Sequence, residues 1–105
     1  MKIYFSPARR DVRLEITREG DALALNDQIV DFSGVSEGDA RPAEEFSSDW
    51  LAGEVRRIDG EIHLTVILPH SVNAPEETRF PQAISAENGP VPIPPYETTE
   101  GAVRL

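Results

Sequence analysis

Two histidines are the side chains of this sequence best suited to acid–base or metal chemistry, because an unperturbed imidazole titrates near neutral pH. His63 and His70 are seven residues apart, and Glu61 precedes His63 by two residues. In a strand, residues two apart share a face, so Glu61 and His63 are predicted to lie side by side as a base with its orienting carboxylate or as metal ligands. A small metal-dependent or acid–base enzyme using His63, Glu61 and His70 is therefore one hypothesis. We favour the alternative, an exposed polar pair, because no third ligand stands at a recognisable spacing.

Other catalytic patterns are missing from the sequence. There is no cysteine, which removes thiolate nucleophiles, disulfides and cysteine-bound metals. The glycines stand singly instead of in phosphate-binding loops, and no Gly-x-Ser-x-Gly pattern occurs. We therefore predict a protein with no catalytic residue, no metal ligand and no cofactor.

Four residues are candidates for contacts with other proteins. Trp50 is the single tryptophan, and it is predicted either as an interface anchor or as a core residue. Pro92 and Pro95 have the Pro-x-x-Pro spacing that aromatic grooves of peptide-binding modules recognise, and Tyr96 follows them. The alternative for this segment is a rigid linker, which we favour, so a peptide-binding module or its ligand is a third functional hypothesis.

Size and charge limit the class of protein. A chain of 105 residues has the size of one domain. Its net charge of −9 opposes binding to nucleic acid, and it is uneven, with +2 on residues 1–20 and −8 on residues 21–54. No apolar run is long enough for a signal peptide or a membrane span. We expect a cytoplasmic protein or a component of a virion-like particle, with protein partners or self-association.

Hydrophobic alternation predicts a mainly-β fold of antiparallel hairpins, arranged as a small sheet, a sandwich or a roll. The clearest cue is Asp59-Gly60 between residues 54–58 and 61–68, which places Ile62, Leu64, Val66 and Leu68 on the core face. A second hairpin is predicted at 22–32 around Asn26-Asp27. Shorter strands are predicted at 2–5, ended by Ser6-Pro7, and at 12–16.

The remaining segments connect or cover these hairpins. Residues 35–48 read as a long loop with one helical turn near 43–46, and Pro69 is expected to end the strand of the second hairpin. A short helix is predicted from Asn73, acting as its cap, to Arg79. Residues 90–96 are proline-rich and predict a polyproline strap that excludes a central strand. The domain is thus 1–96, followed by a mobile tail at 97–105.

Several segments together resemble a family of small phage proteins: residues 1–7 (MKIYFSP) with Arg9-Arg10, residues 55–64 (VRRIDGEIHL), residues 68–70 (LPH), and Phe80-Pro81 before the proline-rich end. The chain resembles uncharacterised proteins encoded among tail-region genes of phages and prophages of marine and photosynthetic α-proteobacteria. The similarity covers most of residues 1–96. It implies an association with virion or tail-assembly genes, and the family offers no active site to carry over.

Overall fold

The computed structural model of the chain describes residues 1–96, and within that range nine strands form two sheets. The elements are β1 (Lys2–Arg9), β2 (Ile16–Glu19), β3 (Ala22–Leu25), β4 (Gln28–Asp31), β5 (Ala40–Pro42), a 3-10 helix (Ala43–Phe46), β6 (Leu51–Ile58), β7 (Glu61–His70), helix α1 (Glu76–Arg79), β8 (Ile84–Ser85) and β9 (Gly89–Val91). The predicted mainly-β class with one short helix is confirmed. The mobile tail predicted at 97–105 lies outside the described residues.

The first sheet has five strands in the order β5-β6-β7-β1-β8. Its centre is the predicted hairpin of β6 and β7, which turns at Asp59-Gly60 with both residues at positive φ. Strand β1 pairs in parallel with β7, and Ile3 lies opposite Leu64. Parallel partners are joined by long connections, so no local turn cue in the sequence indicates this pair.

The second sheet has four antiparallel strands in the order β4-β3-β2-β9. The hairpin predicted around Asn26-Asp27 is confirmed, and Asn26 has the positive φ of 55° that this turn requires. The strand predicted at 12–16 is wrong, because β2 begins only at Ile16. The Asn26 side chain takes the backbone hydrogen bonds of the preceding segment, accepting from the Glu15 amide at 2.8 Å and donating to the Arg13 carbonyl at 3.0 Å.

One hydrophobic cluster fills the space between the sheets. The four predicted core residues of β7 are 0–2% exposed: Ile62, Leu64 and Val66 belong to this cluster, and Leu68 is buried outside it. The second sheet and the residue after β4 supply three of its largest fully buried side chains, Leu23, Leu25 and Phe32. The alternation along β7 thus places every second side chain in the core, and the intervening residues face away from it.

Pro7 and Pro69 lie inside strands, which corrects both predicted strand ends. Strand β1 continues through Pro7 to Arg9, and β7 continues through Pro69 to His70. Backbone amides alternate in direction along a strand. The Arg10 amide points to β7, so the ring nitrogen of Pro7, three residues earlier, faces the opposite side, beyond the paired end of β8. The Ile67 amide donates to the Trp50 carbonyl, so the ring nitrogen of Pro69, two residues later, faces the same side, beyond the paired end of β6; no amide donor is needed at either position.

The predicted loop at 35–48 contains the expected helical turn as a 3-10 helix, and it also contains the short strand β5, which the sequence reading missed. Helix α1 begins after Pro75, so the predicted cap Asn73 is wrong. Asn73 instead takes part in a turn, in which its amide donates to the Ser71 hydroxyl. No helix in the described part of the chain has the length and hydropathy needed to cross a bilayer.

The proline-rich segment lies against the body of the protein. Its first residues form β9, an outer strand in which Pro90 lies opposite Thr17 of β2. This position agrees with the expectation that the prolines exclude a central strand. Residues 92–96 continue as the strap, which we define by these residues.

Candidate functional site

Glu61 and His63 lie side by side on the face of the five-stranded sheet that points away from the core. His63 Nε2 is 3.6 Å from Glu61 Oε1, and the side chains are 23% and 43% exposed. The other carboxylate oxygen of Glu61 accepts a hydrogen bond from the α-amino group of Met1 at 3.4 Å. The predicted pairing of these two residues is therefore present in the structure.

His70 does not join this pair. It is seven residues further along β7, a distance of about 23 Å at 3.3 Å per residue, and an odd spacing puts it on the opposite face. Its Nδ1 lies 2.9 Å from the Ser71 carbonyl at the end of the strand. Within residues 1–96 no group of three or more His, Cys, Asp or Glu side chains is arranged to hold a metal ion. The three residues of the enzyme hypothesis are thus not assembled.

The surroundings of His63 form an uncovered patch, which we call the outward face: Tyr4, Glu54, Arg56, Ile58, His63 and Thr65. These residues line a shallow depression of about 220 Å³. The Tyr4 ring stacks on the imidazole with centroids 6.2 Å apart and an interplanar angle of 27°. Arg56 lies opposite His63 and forms an ion pair with Glu54 at 3.1 Å.

Two large apolar side chains of the outward face are exposed to solvent, Tyr4 by 42% and Ile58 by 43%. They come from strands on either side of β7, so the face combines apolar contact area with charges that are already paired. The sequence predicted His63 on this face of β7, but it did not predict that Tyr4 and Ile58 lie beside it. Ile58 carried a usable signal, because it ends a strand directly opposite Glu61 across the Asp59-Gly60 turn. Tyr4 had none, because its position depends on the parallel pairing of β1.

Trp50 is buried rather than displayed. Its side chain is 8% exposed and belongs to the core cluster. The Arg10 guanidinium lies over the indole at 5.2 Å from the ring centroid, and it also approaches the Asp49 carbonyl. Of the two predictions for this residue, the position agrees with the core.

The strap residues Pro92 and Pro95 are exposed, but the strap is tied to the body at several points. The Thr78 hydroxyl donates to the Pro95 carbonyl, and the Tyr96 carbonyl accepts from the Ser71 amide at 2.9 Å. The Tyr96 hydroxyl donates to the Arg10 carbonyl, and the Arg13 guanidinium covers its ring at 4.5 Å. A partner that bound Pro92 and Pro95 as a free polyproline helix would have to displace these contacts.

Asp31 and Arg41, which lie outside the outward face, have shifted pKa values. A hydrogen bond from the Ser33 backbone, followed by one from its side chain, lowers the pKa of Asp31. Hydrogen bonding and charge attraction by Glu45, and then by Asp39, raise the pKa of Arg41.

The fold and the site define a small mainly-β protein with two sheets and a shallow, partly apolar outward face. Comparison with models of protein families, with curated proteins and with solved structures finds no match to this chain.

Proposed function

We propose that the protein is a non-enzymatic structural or interaction protein that works as an accessory or assembly factor of phage or prophage tails. It acts in the cytoplasm, on a particle under assembly or as part of it, through contacts with proteins. The observation that supports this proposal is the outward face, where Tyr4 and Ile58 remain exposed on a sheet that is otherwise well packed. Exposed large apolar residues beside paired charges are typical of protein–protein contact surfaces.

The geometry around His63 also supports a contact role over catalysis. The imidazole lies beside the Glu61 carboxylate and stacks on the Tyr4 ring, whereas His70, the third residue of the enzyme hypothesis, lies far along β7 on the opposite face. Tryptophan, tyrosine and arginine are the side chains most enriched among the residues that dominate binding at the centres of interfaces. Tyr4 of β1 and Arg56 of β6 provide a tyrosine and an arginine on the two sides of the strand that carries His63.

The test uses light scattering coupled to size exclusion, followed by sedimentation of an induced source-cell lysate. We expect the protein either to form a defined oligomer or to sediment with tail particles, and the double variant Tyr4→Ser/Ile58→Ser to lose that association. The control Val12→Ser/Val72→Ser removes two other exposed apolar side chains, 56% and 70% exposed, and should retain it. A protein that is monomeric at physiological salt and sediments apart from every particle would overturn the proposal.

A further inference from the structure

A groove of about 490 Å³ lies between helix α1, strand β8 and the strap. It is separate from the outward face, because Ile84 lies directly opposite Ile3 and therefore shares the core side of the sheet. The groove combines carboxylates, apolar side chains and an amide: Glu76, Glu77, Phe80, Gln82, Ile84 and Pro94.

Within residues 1–96, no cationic side chain pairs with the carboxylates of this groove. Glu76 and Glu77 take part in no ion pair and no side-chain hydrogen bond within residues 1–96, whereas Asp21, Glu45 and Glu54 each pair with an arginine. The nearest cation along the chain, Arg79, lies over the Phe80 ring at 6.0 Å. Two neighbouring negative charges in a concave site favour a ligand with positive charge.

Apolar surface accompanies these charges. Phe80 is 71% exposed, so most of its apolar ring is open to contact with a ligand. Ile84 is half-buried against the core and Pro94 comes from the strap, so both are held in place. A ligand that is cationic and also carries an apolar side chain would match both components of the groove.

The edge of a sheet borders the groove. Strand β8 is the last strand of its sheet in the described part of the chain. The Ala86 amide donates to the Met1 carbonyl, so by alternation the backbone amide and carbonyl of Ser85 point away from β1. Such groups can hydrogen-bond an extended peptide laid along the edge.

We propose that this groove binds an extended segment of a partner protein in which a lysine or arginine stands beside an aliphatic or aromatic residue. The cation pairs with Glu76 and Glu77, the apolar side chain packs between Phe80 and Ile84, and the peptide backbone bonds to Ser85. The groove is a second contact surface, and its binding does not depend on the outward face or on any association with phage tails.

The probe is a fluorescein-labelled peptide of alternating lysine and valine, titrated against the full chain by fluorescence anisotropy. We expect saturable binding that Glu76→Gln/Glu77→Gln weakens by about tenfold. The control Glu19→Gln/Glu44→Gln has the same net charge and also removes exposed carboxylates that have no ion pair within residues 1–96, so it should bind like the original protein. Phe80→Ser should weaken binding as well, and melting temperatures verify that each variant folds.

Several results would overturn this proposal. The original protein could fail to bind the peptide, or both charge variants could lose affinity equally, which would indicate a general attraction to an acidic protein. Chemical-shift changes outside residues 76–86 and the strap would also contradict it. Tyr4→Ser/Ile58→Ser should bind the peptide normally, so failure of the groove and failure of the outward face give different results.

Discussion

The guanidinium of Arg57 lies 3.2 Å from the carboxylate of Asp21 and joins the two sheets. Arg57 stands opposite Ile62, so its side chain enters the core side of the five-stranded sheet and is only 16% exposed. Its Nε donates to the Val35 carbonyl, and its Nη atoms reach the Phe32 and Gly60 carbonyls. The guanidinium of Arg57 on the core side of the sheet is thus bound by four acceptors, the Asp21 carboxylate and three backbone carbonyls.

Replacing Arg57 should therefore cost far more stability than replacing its neighbour. We expect Arg57→Leu to lower the free energy of unfolding by about 2 kcal/mol, since it leaves buried carbonyls without donors. Arg56→Leu removes an exposed pair and should change it by less than about 0.5 kcal/mol. Urea denaturation of the three proteins measures the difference, and equal losses for both variants would contradict the role assigned to Arg57.

Asn26 should be important for two separable reasons. Its φ of 55° suits glycine as well as asparagine, but only asparagine supplies the side-chain bonds to Arg13 and Glu15. We expect Asn26→Gly to lose about 1 kcal/mol and Asn26→Ala to lose more, because alanine also strains the turn. Thermal unfolding compares them, and an Asn26→Gly variant as stable as the original protein would show that the side-chain bonds contribute nothing.

The sequence predicted what depends on neighbouring residues and missed what depends on distant ones. Asp59-Gly60 and Asn26-Asp27 mark their hairpins because only a few residue types accept the backbone angles of these turns. The prediction that the first strand ends at Ser6-Pro7 was wrong, because a proline is excluded only where a strand needs a backbone amide donor. Whether β1 needs a donor at Pro7 depends on where β8 ends. The same limit applies to the outward face, where Tyr4 reaches His63 through pairing across about sixty residues.

Asp31 should make stability depend on pH. A hydrogen bond from the Ser33 amide at 2.9 Å lowers its pKa below the ordinary value of 3.8. The stabilisation is present above pH 3.8 and is lost as pH falls through the lowered pKa of the folded state. We expect the difference in unfolding free energy between the original protein and Asp31→Asn to shrink below pH 4. Asp11→Asn is the exposed control, and a pH-independent difference for Asp31→Asn would contradict the assignment.

Pro7 should protect an open strand edge. Beyond Ile3, β1 has no partner on the β8 side within the described residues, and Pro7 removes the amide that would point there. We expect Pro7→Thr to fold but to self-associate more at high concentration, as seen by static light scattering. Pro92→Thr changes an exposed proline of the strap and should not increase association. If Pro7→Thr remains as monodisperse as the original protein, the edge is protected by other means.

The strap should contribute to stability through Thr78, which is fully buried and donates to the Pro95 carbonyl. Thr78→Val keeps the shape but leaves that carbonyl without its donor, so we expect a loss of about 1–2 kcal/mol and faster proteolysis within the strap. Thr65→Val makes the same exchange on the outward face, at a hydroxyl with no hydrogen bond in the described chain, and should change stability by less than about 0.5 kcal/mol. If Thr78→Val is cleaved no faster, the strap is held by its other contacts, chiefly those of Tyr96. If Thr78→Val is cleaved faster, the Thr78 hydroxyl helps to hold the strap against the body. A partner that binds Pro92 and Pro95 must then compete with this hydroxyl, because the strap can serve as a ligand only when it is released.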